Sequence, residues 1–244
     1  MKQLAILTTA CLLYMLPMTT QAQESEEFVM NLTEYSIKFG HNSNFTDGVK
    51  KWIKCYKDNN GNNTWRTWKR TQGKGDVYVV ASRMDNWAEM GEDDDAGMAC
   101  RPIALESIVP HIESRSFNTF KSMPKLSSKA ELGDNTLVWV YGFDVNDRKA
   151  FNEVINEVSS ALDKKEGDKR GYWYRSLAGD GGDYFVSTPY KDFAELDKDE
   201  DSVWEVYESV HGKSKTENIR AKFNTSVDHV TSFIYTLQAE LSMN

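Results

Sequence analysis

The sequence has no excess of positive charge, few cysteines, few histidines and none of the familiar catalytic signatures. Lys and Arg number 29 against 37 Asp and Glu, a formal net charge of −8, and the basic residues are interspersed with acids. Binding to phosphate backbones or anionic lipid needs a clustered basic face, so no nucleic-acid partner is expected and a cationic or neutral partner suits the chain better. G-x-S-x-G, P-loop, H-E-x-x-H, C-x-x-C and Rossmann glycine patterns are all missing. That removes the sequence support for the commonest hydrolase, nucleotide-binding and metalloprotease chemistries.

The apolar run from Leu4 to Leu16 follows Lys2, is broken by Thr8 and Thr9, and ends at Pro17 ahead of Thr20-Gln21-Ala22. It is shorter than the ~20 residues of a membrane span and reads as a secretory signal over residues 1–22, cleaved near Ala22. The expectation is a secreted or periplasmic protein without stable membrane insertion. Of 244 residues, removing 22 leaves 222, and losing Lys2 takes the charge from −8 to −9. Two of the three cysteines, Cys55 and Cys100, lie in the mature chain; an oxidising compartment permits them to pair, and buried free thiols are the alternative.

The chain repeats itself. At an offset of 106 residues, Asn31 to Asp95 aligns with Leu137 to Asp201 without a gap. Eleven positions are identical, among them Tyr35/Tyr141, Phe45/Phe151, Gly61/Gly167, Tyr78/Tyr184 and Glu89/Glu195, where roughly four would arise by chance from average composition. Val109, His111, Ile112 and Ser114 match Val227, His229, Val230 and Ser232 at an offset of 118, so the second copy carries about twelve more residues.

Each copy reads strand, helix, two strands, helix, strand. Tyr35, Ile37 and Phe39 alternate with Glu34, Ser36 and Lys38, and Leu137 to Val145 is the counterpart. Phe45, Val49, Trp52, Ile53 and Tyr56 share one helical face, as do Phe151, Val154, Ile155, Val158 and Leu162, with Gly61 and Gly167 placed as stops. Gly-rich hairpins follow, then helical regions starting near Trp87 and Phe193 and a last strand. This β-α-β-β-α-β order is the split ferredoxin-like motif. The expected fold is α+β, two tandem ferredoxin-like repeats pairing sheet to sheet, with repeat 1 over 23–121, a linker over 122–135 and repeat 2 over 136–244.

Element order, lengths and the paired segments Trp87-Ala88-Glu89-Met90 and Phe193-Ala194-Glu195-Leu196 resemble the dimeric α/β-barrel superfamily, which includes antibiotic-biosynthesis monooxygenase-like and NIPSNAP-like families. The resemblance implies that a pairing usually made between chains is made here within one, so a monomer is expected. It also implies an oxidoreductase, either a cofactor-independent monooxygenase or a haem protein, as the alternative to simple binding. In the haem case His211 or His229 would be the axial ligand.

Several groups are candidates for chemistry. His111 and His229 recur at equivalent positions and are candidate ligands or bases, against the plainer reading of strand histidines bonded to backbone. Trp68 and Arg70 in one copy, with Tyr174 and Arg175 in the other, are candidates to line a pocket for a small apolar or aromatic ligand, together with Tyr35 and Tyr141. The alternative is a bulky core. Asp197, Asp199, Asp201 and Glu208 meet the spacing of a calcium loop, yet Ser202 stands where the turn glycine belongs, and a solvated acidic loop is the alternative. No cofactor is required by these readings; haem and calcium are the two that the residues raise. The leading expectation is an exported protein binding a small molecule, with oxidoreductase and envelope interaction module as alternatives.

Overall fold

A computed structural model describes residues 26–130 and 133–243. The expected signal peptide over 1–22 lies outside the described residues. The first half contains β1 (Val29–Ile37), α1 (Asn42–Asp58), β2 (Arg66–Arg70), β3 (Asp76–Met84), α2 (Asp95–Ser107) and β4 (Ile112–Ser122). The second contains β5 (Leu137–Val145), α3 (Arg148–Glu166), β6 (Tyr172–Ala178), β7 (Tyr184–Tyr190), α4 (Val203–His211), α5 (Lys213–Ser226) and β8 (Val227–Leu237). The doubled ferredoxin-like order is therefore present, and the extra residues of the second copy build α5. Among the described residues no helix is long and apolar enough to cross a membrane.

The eight strands close into a barrel in the order β1-β3-β2-β8-β5-β7-β6-β4, with β4 returning to β1. Each half contributes its four strands in one spatial order, fourth-first-third-second, and the two seams join β2 to β8 and β4 to β6. Closure leaves no exposed sheet edge, which removes the risk of edge-to-edge association that an open four-stranded sheet carries. The hairpin pairs Arg66↔Ala81 and Tyr172↔Ser187 are the same pair moved by 106. The first strands differ. Tyr35 faces Tyr78, whereas Tyr184 faces Phe143 rather than Tyr141, a slip of two residues that keeps every side chain on its original face.

Helices cover the outside of the barrel. Phe45 at 3% and Phe151 at 0% exposure mark equivalent cores in the two halves, one with Ile37 and Tyr78, the other with Phe143, Ile155 and Tyr184. Gly167 ends α3 with φ +85°, a left-handed turn that suits glycine. Phe39, expected inside the first strand, lies past its end and is fully exposed. The helical regions expected from Trp87 and Phe193 are single 3-10 turns, Trp87–Gly91 and Phe193–Asp197, with α2 and α4 starting afresh beyond them. Cys55 and Cys100 form a disulfide tying α1 to α2.

The halves also exchange turns. After β4, Pro124–Leu126 crosses to the second half, where Leu126 enters its core and Ser127 Oγ accepts from the Trp173 N–H. After β8, Ala239–Leu241 crosses back, Leu241 enters the first core, and Ser242 Oγ accepts from the Thr67 N–H. Thr67 and Trp173 are equivalent positions, so the two crossings are one device used twice. Each core is completed by the other copy's chain.

Candidate functional site

The residues singled out from the sequence scatter. Trp68 and Tyr174 are buried, Tyr174 stacked on Phe185 with centroids 4.6 Å apart. They pair with Leu237 and Ser122 across the two seams and point into the barrel. Burial pushes the Tyr174 phenol up to about 12. Arg70 lies over the Phe233 ring at 4.7 Å and donates to the Lys74 carbonyl. Arg175 is exposed beside Glu27 and Lys121. Tyr35 packs on Phe45 in the first half, its phenol pushed up by burial against the opposing pull of Arg115. His111 meets His41, Nδ1 to Nδ1 at 2.9 Å, while His229 is exposed on β8 opposite Asp144. The two recurring histidines therefore sit in unlike surroundings.

The acidic residues do not gather either. Ser202 caps α4 and forms a reciprocal pair with Glu205, so the chain turns helical where a calcium loop would continue around the ion. Glu208 is carried along that helix. Among the described residues no group of three or more His, Cys, Asp or Glu could hold a metal ion.

Tyr141 alone among the ligand candidates lines a cavity of about 1070 Å³ between the outer face of the second half's sheet and its helices. Its floor is aromatic. Trp139, Tyr141 and Phe143 alternate along β5, with Trp139 stacked on Tyr141 at 5.6 Å and Phe143 on Trp173 at 5.7 Å. Val158 and Leu162 of α3 face the floor, Trp204 of α4 and Phe223 of α5 close one side, and Tyr190 ends β7. Ser128 and Ala130 complete the wall, held in place by Asp168, which accepts from Ser128 Oγ at 2.7 Å and from the Lys129 N–H. Burial pushes the Asp168 carboxyl up, but these hydrogen bonds and that from Lys169 outweigh it and hold the group below the usual carboxylate range.

The first half shows why this space is open. At the offset of 106, Val158, Leu162 and Gly171 correspond to Trp52, Tyr56 and Trp65. Those three rings pack on one another with centroids 4.9 to 5.8 Å apart, against Cys100. In the second half the bulk moves from helix to sheet, with Trp173 for Thr67 and, through the slip of two residues on β5, Tyr141 at the place of Thr33 and Trp139 at that of Asn31. Gly171 keeps the rim clear. Its φ is +70°, and a Cβ there would lie 2.8 Å from Val186 and 2.9 Å from Thr188. Half-buried Trp139, Tyr141, Trp173 and Trp204 are left with apolar surface open to the cavity, the kind of surface on which ligand binding is built.

Charge is confined to the mouth. Arg170 forks onto Glu166 at 2.8 and 2.5 Å and donates to the Asp201 carbonyl; the Glu166 carboxylate beside it raises its pKa. Glu195, Glu200 and Asp201 stand on the same rim. Burial, with Glu200 nearby, pushes the Tyr190 phenol up and keeps it a neutral hydrogen-bonding group. Haem would find few axial donors here. Axial ligation draws on His, Cys, Met or Tyr; the described lining has no His, Cys or Met, the Tyr172 hydroxyl is committed to the Ala130 carbonyl at 2.5 Å, burial keeps Tyr190 neutral, and Tyr141 is left as the one further phenol. The carboxylates at the mouth would oppose anionic propionates. His211 packs against Tyr207 with the rings tilted, and neither it nor His229 lines the cavity.

No protein-family model matches the chain, and no curated protein matches its sequence. Among solved structures it is similar to a candidate monooxygenase from Lactobacillus acidophilus, at 9% identity over 89% of this chain and 99% of that one, with a TM-score of 0.52. A candidate monooxygenase from Fusobacterium nucleatum shows 9% identity over 86% and 92%, TM-score 0.52. A variant of chlorite dismutase from Candidatus Nitrospira defluvii shows 11% identity over 89% and 93%, TM-score 0.52. These likenesses establish the fold, the dimeric α/β barrel expected from the sequence, built here within one chain. Activity does not follow from fold.

Proposed function

We propose that this chain is an exported binding protein that holds a small planar apolar or aromatic molecule in the cavity of its second half. The observation carrying this reading is the lopsided exchange of bulk between the copies. One copy fills the sheet-helix space with Trp52, Tyr56 and Trp65; the other vacates it and lines its floor with Trp139, Tyr141, Phe143 and Trp173. Such rings supply large apolar area and offset or edge-on stacking for a flat ligand. The disulfide supports an oxidising compartment, and the intramolecular seams support a monomer.

Calorimetric titration of the mature protein with 2-naphthol tests the reading. Binding of one equivalent is expected, and its loss is expected in Val158→Trp/Leu162→Tyr, which copies the first half's filling into the second. Retained binding in that variant, with circular dichroism unchanged, would place the ligand elsewhere. A second reading, oxygen-dependent oxidation of the same ligand without a cofactor, is favoured by the likeness to candidate monooxygenases. It requires oxygen uptake when an oxidisable polycyclic phenol is added; binding without uptake leaves the first reading standing.

A further inference from the structure

We infer that the cavity selects cationic ligands, aromatic amines or quaternary ammonium compounds, over neutral and anionic ones of the same shape. This rests on the binding reading above and assigns the charge of the ligand. The described lining contains four carboxylates, Glu166, Glu195, Glu200 and Asp201, against one guanidinium, Arg170. Two of the acids are already matched. Glu166 takes the Arg170 fork, and Glu195 holds Lys198 at 2.8 Å while accepting from the Lys191 N–H.

Glu200 and Asp201 form no side-chain hydrogen bond or ion pair among the described residues, although Glu200 lies in the field of Arg170 and Lys198, and the first half explains why. Their counterparts are Asp94 and Asp95. There Asp94 caps α2 through the Gly97 N–H at 3.0 Å, and Asp95 opens that helix, so both serve the positive end of a helix. In the second half α4 starts two residues further along, at Val203, and Ser202 takes the capping role. The two carboxylates are thereby released to the rim of a cavity whose floor is aromatic faces.

That combination suits a cation. Ring faces attract ammonium groups within about 6 Å, most strongly for Trp, and Trp204 already takes the Arg220 guanidinium at 5.5 Å from its centroid. Arg170 does little to offset the acids for a bound anion, because its charge is paired with the Glu166 carboxylate and three of its five N–H donors go to Glu166 and the Asp201 carbonyl. A ligand with a flat apolar body and a positive head would set the body on Trp139, Tyr141 and Trp173 and the head beside Glu200 and Asp201.

Three probes sharing one ring system test this on the full mature chain: (2-naphthylmethyl)trimethylammonium, 2-naphthol and 2-naphthoate. Calorimetry at about 0.1 M salt should rank them in that order, with the cation roughly tenfold tighter than the neutral probe. Its advantage should shrink at 1 M salt, where the screening length falls to ~3 Å. Glu200→Gln/Asp201→Asn should remove most of that advantage, lowering cation affinity several-fold more than 2-naphthol affinity. If 2-naphthol or 2-naphthoate binds as tightly as the cation, the charge assignment is overturned while the binding reading survives. If none of the three binds, both fall.

Discussion

At the scale of single residues, the site is made by what the second copy gives up. Trp52, Tyr56 and Trp65 become Val158, Leu162 and Gly171, and each change vacates volume against one sheet face. Those residues stand in the sequence at equivalent positions, but identity between copies marks the shared core and says nothing of where the copies part. Phe45/Phe151 and Tyr78/Tyr184 are core in both halves, whereas Tyr141 lines the cavity. The difference signal, Gly171 against Trp65 and Trp173 against Thr67, is the one that points to the cavity. The aromatic strand residues Trp68 and Tyr174 misled for a related reason. Strand periodicity gives two faces but not which one meets the helices, and these two face the barrel interior.

One residue pair carries a pH prediction. Tyr207, fully buried, donates to Glu157 Oε2 at 2.6 Å. That bond leads the causes, with Lys215 adding, that hold the Glu157 carboxyl below its usual range. A depressed folded pKa means stability present above the unfolded carboxylate range and lost as pH falls through the folded value. Tyr207→Phe should cost about 1 kcal/mol near neutrality, the partial exposure of Glu157 limiting the effect. The difference between variant and parent should shrink below pH ~4. Urea denaturation across pH 3 to 7 measures it; an equal gap at all pH values would contradict the assignment.

At the scale of elements, strands and first helices were legible because their apolar spacing is regular: Phe45, Val49, Ile53 and Tyr56 for α1, Phe151, Ile155 and Leu162 for α3. The second helices were legible only in outline, and the turns after the last strands not at all. Asn86 and Asp192 cap short 3-10 turns that interrupt the helical signal, and the exchange of Pro124–Leu126 for Ala239–Leu241 rests on an offset of 115, distinct from the 106 and 118 that reveal the repeat. The Cys55–Cys100 bridge fixes α1 to α2 in the half whose sheet-helix space is filled. It closes a separation of 45 residues, and replacing both cysteines by serine should cost about 2–4 kcal/mol. Ligand affinity in the second half should be unchanged. Chemical denaturation and calorimetry on one preparation check both, and a matching loss of affinity would mean that the halves are coupled through the barrel.

At the scale of the whole molecule, duplication within one chain allows asymmetry. Two identical subunits in a symmetric pair are both open or both filled; a tandem chain can keep one copy filled and stapled and the other open. The seams β2–β8 and β4–β6 and the crossed turns bind them into one barrel, so the filled half holds the floor of the open half in place.

The most direct test is a crystal structure of the mature protein with (2-naphthylmethyl)trimethylammonium bound. One molecule per chain is expected on Trp139, Tyr141 and Trp173 of the second half, its ammonium toward Glu200 and Asp201. Density instead within the barrel beside Trp68 and Tyr174, or in the first half beside Trp52 and Trp65, would contradict the account.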